Sequence, residues 1–245
     1  MKLKGTFGWL AVVAVTCVLA ASAQADVIYL VDVGDAGGSP TEAGWNTVSL
    51  IQAGIPANSA ADQTLTAVNG VDTIGLTDMA VSSSDRGFSS SNSIDIAPDW
   101  VTEDAANDFE WLFDNNGDGT VQLSFNLSGL DTTPGVTYTV EIWSARANNS
   151  SSFVDVTIDG AFSDGGLSND FNWGNEGLTG KDANGTADVL TWSNLAASDG
   201  DLTVNIVGTD RLGVNAMRIT QIPEPATMAL LSLGGLAVLK RRRSA

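Results

Sequence analysis

The chain has no histidine and a single cysteine, Cys17, in 245 residues. From residue 26 onward it has neither, which excludes nucleophilic triads that depend on histidine or cysteine. Disulfides can contribute nothing to its stability either, even in an oxidising compartment. Basic residues are also scarce, 11 against 29 acidic ones, and Lys2, Lys4 and the run Lys240, Arg241, Arg242, Arg243 lie at the two ends. Setting those six and Glu224 aside leaves 28 acidic and five basic side chains between residues 26 and 222, a net charge of −23. A body of that sign repels nucleic acid and anionic membrane surfaces, and attracts divalent cations or polymers bridged by them. Uninterrupted apolar runs occur at the ends alone, and no long stretch of the body has the spacing of an amphipathic helix.

The ends read as addresses. Lys2 and Lys4 precede an apolar stretch from Trp9 to Ala21, and the pairs Ala21/Ala23 and Ala23/Ala25 offer A-x-A cleavage sites, the layout of a secretory signal peptide over residues 1–25. The stretch is short for an anchor helix, which needs roughly 20 residues. A lipidated Cys17 is disfavoured by Thr16 before it and the apolar residues that follow. At the other end, "PEPATMALLSLGGLAVLKRRRSA" runs from residue 223 to 245. Residues 226–239 would form a helix about 21 Å long against a hydrocarbon core near 30 Å, weakened further by Gly234 and Gly235. A marginal span with a basic stop, its positive end on the cytoplasmic side, suits transient insertion in the inner membrane better than permanent anchoring.

Between the ends lie roughly 200 residues, enough for one β domain with a real core. Val121, Leu123, Phe125 and Leu127 alternate with Gln122, Ser124 and Asn126, the period of two of a strand that buries one face. The same rhythm recurs at Tyr138/Val140/Ile142, Val154/Val156/Ile158 and Leu202/Val204/Ile206, with turn-rich strings such as "NNGDG" and "SDG" between. About ten short strands predict an all-β fold, an antiparallel two-sheet sandwich of jelly-roll type, with a barrel as the alternative. The serine-rich residues 81–100 read as a long loop.

The tripartite end, Pro223, Glu224 and Pro225 followed by the short apolar segment and the basic cluster, resembles the PEP-CTERM sorting signal of exported bacterial proteins. The resemblance implies export, temporary membrane retention and processing near the triplet by a membrane-embedded enzyme of exosortase type, usually in Gram-negative bacteria that make exopolysaccharide. It also implies three parts: signal peptide 1–25, β-sandwich 26–222 and sorting signal 223–245. The strings "VIYLVDVGDAGGSPTEAGWNTVSL", "FNLSGLDTTPGVTYTVEIWSAR" and "LGVNAMRITQIPEP" are similar to the β-sandwich of PEP-CTERM proteins of planctomycete and verrucomicrobial type. That likeness supplies no catalytic residue.

Three constellations could carry chemistry. In "DNNGDGT", Asp114, Asn116 and Asp118 present oxygen ligands at alternate positions before Gly119, as in a calcium loop, although position 12 falls on Phe125 instead of a bidentate glutamate. The ordinary alternative is a hairpin turn joining a strand at 109–113 to one at 121–127. Of six body tryptophans, Trp143 follows Glu141 on the face opposite Tyr138, Val140 and Ile142; an outward ring beside a carboxylate would suit sugar stacking. Trp173 in "FNWGNEG" is a comparable loop candidate, and core or loop packing is the ordinary explanation for both. A glycoside hydrolase would need two carboxylates at about 5 Å or about 6.5–9.5 Å, and sequence nominates no pair among 28. The expectation is a non-catalytic envelope or matrix protein without a nucleic-acid partner, associated with exopolysaccharide and bridged to it by calcium. A carbohydrate-binding module is the alternative.

Overall fold

The computed structural model describes residues 25–34, 43–48, 62–82, 85–89, 97–102, 105, 109–113, 120–144, 154–159, 161–162, 189–197, 199–209 and 211–223. In chain order the strands are β1 (Val27–Val33), β2 (Trp45–Val48), β3 (Gln63–Thr66), β4 (Thr73–Ser82), β5 (Asp85–Ser89), β6 (Phe109–Phe113), β7 (Thr120–Ser128), β8 (Thr137–Trp143), β9 (Val154–Ile158), β10 (Ala161–Phe162), β11 (Val189–Leu195), β12 (Leu202–Thr209), β13 (Arg211–Val214) and β14 (Ala216–Ile222). They form a five-stranded sheet, β11-β8-β14-β1-β2, a six-stranded sheet, β10-β9-β12-β7-β4-β3, and a three-stranded sheet, β13-β6-β5.

The two larger sheets face each other as a sandwich. Alternation does what the sequence dictates: Tyr138, Val140 and Ile142 of β8 and Leu123, Phe125 and Leu127 of β7 are all buried in one continuous core. Every pairing is antiparallel except β1 with β2, which is parallel. Asn46 closes the edge between sheets: its amide nitrogen donates to the Leu30 and Thr66 carbonyls, both at 2.9 Å, and its oxygen accepts from Thr66 N at 2.7 Å. The Tyr138 hydroxyl accepts from Asp131 N at 2.6 Å, tying the crossing segment between sheets to the core.

Two expectations are corrected. Residues 81–100 are not one loop, because β4 extends to Ser82 and Asp85–Ser89 is a strand. Nor do β6 and β7 form a hairpin; β6 pairs with β5 and β13, while β7 pairs with β4 and β12. The small sheet instead prolongs the middle of the six-stranded one, since β4, β7 and β12 lead into β5, β6 and β13 in the same lateral order. Thr120 pairs with Thr209 and Phe113 with Arg211, and residues 114–119 lie outside the described residues.

Candidate functional site

The outer face of the five-stranded sheet carries Glu141 and Trp143, two of the side chains that sequence put forward for ligand contact. Register fixes two rows across it. One runs Val189, Trp143, Ala216, Asp32, Thr47; the next runs Thr191, Glu141, Arg218, Leu30, Trp45. Glu141 and Trp143 do stand on the face opposite Tyr138, Val140 and Ile142, but neither is available to a sugar. Trp143 is fully buried, packed with Ala216 and covered by Trp45, Ala97, Trp100, Val101 and Val189. Trp143 thus meets the ordinary explanation, packing, and not the exposed platform: the ring lies beneath residues 97–101, which pack onto the sheet from about 40 positions earlier in the chain.

Glu141 is engaged as well. The Arg218 guanidinium, its neighbour in register on β14, donates to both carboxylate oxygens, through Nε to Oε2 and through Nη2 to Oε1 at 2.7 Å. Such a bidentate pair holds both partners in one geometry. Arg218 also lies over Trp100, 5.0 Å from guanidinium carbon to ring centroid, and Trp100 stacks on Trp45 at 6.5 Å with an interplanar angle of 18°. Trp45 and Arg218 flank Leu30 in the sheet. Trp100 is thus gripped by an aromatic ring from one strand and a cation from another, and the group acts as a clasp for the 97–102 segment. Beneath it the Trp143 indole N–H and the Thr47 hydroxyl are buried without a protein hydrogen-bond partner, a desolvation cost that the packing of a large ring offsets.

Sequence reasoning missed Trp45, Trp100 and Arg218. The available signal was scarcity: Arg218 is one of five basic residues in an acidic body and occupies an alternating strand, "AMRITQI". Asp114, Asn116, Asp118 and Trp173 lie outside the described residues. Among the described residues no group of three or more acidic side chains could hold a metal ion.

The second region is the end of the sandwich where β1 begins and β14 stops. Val27 pairs with Gln221, Gln221 with Tyr138 on its other side, and Ile222 with Thr137. Pro223 follows at once, half-buried, and Ala25, two residues before β1, is exposed. Ala23, Glu224 and Pro225 lie outside the described residues. A family model for the PEP-CTERM protein-sorting motif matches residues 221–244. The chain carries a PEP-CTERM sorting motif. Its sorting motif thus starts inside the folded sheet, at residues laddered to β1 and β8. Among the described residues no helix is long and apolar enough to cross a membrane; residues 226–239, expected to do so transiently, lie outside them.

No curated protein matches this chain. Among solved structures, the enzymatically active domain of tailspike protein 4 from bacteriophage CBA120 aligns at 12% identity and a TM-score of 0.29, over 60% of this chain and 19% of that one. The chain spans about a fifth of that structure's length.

Proposed function

We propose that this is a non-catalytic envelope or extracellular-matrix protein, held briefly in the inner membrane by its tail, released by an exosortase-type enzyme and associated with exopolysaccharide. The observation that carries this reading is the sorting motif at residues 221–244, joined without a spacer to an all-β domain of net charge −23. The engagement of Glu141 by Arg218 and the burial of Trp143 support a structural role for the most conspicuous aromatic and acidic cluster of the sheet.

The test is the intact mass of the protein from its native host, by cell fraction. Material outside the inner membrane should lack both the leader ending near Ala25 and the tail with Arg241 to Arg243. Tailed protein in that fraction would overturn the reading. Association with glycan is tested by tryptophan fluorescence during titration with isolated polysaccharides; a saturable shift would favour a dedicated carbohydrate-binding module. Calcium is the cation proposed to bridge the acidic body to anionic glycans, with Asp114, Asn116 and Asp118 as ligands. Millimolar calcium should then raise the melting temperature, and an unchanged melt removes that site.

A further inference from the structure

The two ends of the domain that lead to membrane-directed segments leave the fold side by side. β1 and β14 are antiparallel neighbours, so the start of one and the finish of the other lie at the same end of the sandwich. The spacer to the apolar segment is Pro223–Glu224–Pro225. Three extended residues reach about 10 Å, and proline's fixed φ leaves little slack. Whatever acts on the motif from within the membrane must therefore meet the end of the sandwich itself.

That end has a distinctive surface. The β3–β4 turn reaches it, because Val68 N donates to the Ile28 carbonyl at 2.8 Å. The turn carries Val68 and Val71, 50% and 79% exposed, the two exposed large hydrophobic side chains among the described residues. The same end of the sandwich carries the exposed aspartates Asp26, Asp72, Asp131, Asp159, Asp199 and Asp201. None of the described residues at this end is basic. Two of these carboxylates are engaged locally or across strands, Asp131 accepting from Thr133 N at 2.8 Å within its turn and Asp159 from Thr203 N of β12 at 2.8 Å, which accounts for their presence but not for the two valines.

We propose that this end, with Val68 and Val71 at its β3–β4 edge, is a docking surface for the outward face of the membrane-embedded processing enzyme, a partner whose surface there is apolar with a neutral or basic rim. Charge decides between the enzyme and the bilayer, since an anionic lipid surface would repel six carboxylates. The inference rests on the reading that the chain is processed at its motif. Cleavage then requires the folded domain as well as the linear signal.

The experiment follows C-terminal trimming by intact mass in the native host, for wild-type protein, for V68S/V71S and for a chain with 12 Gly and Ser residues inserted between Ile222 and Pro223. Both changes should slow trimming about ten-fold, the scale of losing two apolar contacts, while the melting temperature stays at the wild-type value. Trimming of both variants at the wild-type rate overturns the proposal, because the motif then suffices. Absence of trimming in the wild type overturns the proposed function beneath it. Valine-dependent binding of the mature protein to anionic vesicles would assign the surface to lipid and equally overturn the docking proposal.

Discussion

A single residue, Trp143, separates two kinds of role for the same chemistry. At a sugar platform a tryptophan contributes to binding and little to folding, whereas a fully buried ring covered by Trp45, Trp100 and Val101 contributes through packing. Trp143→Ala should lower unfolding stability by about 3–5 kcal/mol in urea denaturation, with an unchanged m-value. A cost below about 1 kcal/mol, the range of surface substitutions, would return the ring to solvent. Backbone conformation tells a related story at Asp78 and Asn194. Each has positive φ, 52° and 59°, and each sits where the register of β4 or β11 shifts. Asp and Asn tolerate that region better than other non-glycine residues, so both bulges are chemically specified. Asp78 is further fixed by donation from Asn126 Nδ2 at 3.0 Å.

Among the elements, β14 is the one on which the five-stranded sheet depends. It lies between β8 and β1 and is laddered to both. Truncation after Pro223 should leave the circular dichroism spectrum and melting temperature of the domain unchanged, whereas truncation after Ala216 should abolish cooperative unfolding. A stable, cooperative fold in the shorter chain would show the sheet closing without its central strand. How legible an element was in the sequence follows from what covers its faces. β7, β9 and β12 were plain because one face meets the core and the other is more exposed, which imposes a period of two, and β8 keeps the same alternation over Tyr138, Val140 and Ile142. β1 obscures that period toward its end: Val31, Asp32 and Val33 are all buried, because the outer face of the sheet is covered there too. β5 was hidden by its serine-rich surroundings, and its pairing with β6 is a long-range event that local propensity does not encode. Legible for the same reason as β7, the position of Glu141 and Trp143 on the second face of β8 was readable; their cover was not, because it comes from Ala97, Trp100 and Val101, remote in sequence.

For the molecule as a whole, both tyrosines of the chain, Tyr29 and Tyr138, are buried in the sandwich. Burial pushes the Tyr29 hydroxyl up to about 12, with the nearby Asp72 charge adding to the effect, and raises Tyr138 as well. The folded state therefore keeps protons that the unfolded chain releases near 10. Stability from this source is complete below about pH 10 and falls as pH rises toward about 12. Tyrosinate absorbance should accordingly appear together with the loss of native tryptophan fluorescence, in one cooperative step. A gradual rise at pH 10 with fluorescence unchanged would place the hydroxyls in water. The central place of β14 carries one more consequence, for the order of events in time. The strand that joins β8 to β1 is among the last parts of the domain to leave the ribosome, so the earlier strands must wait with their apolar faces unmatched. A domain that cannot close its core until its last strand has been made stays threadable, which is the state a translocation channel requires.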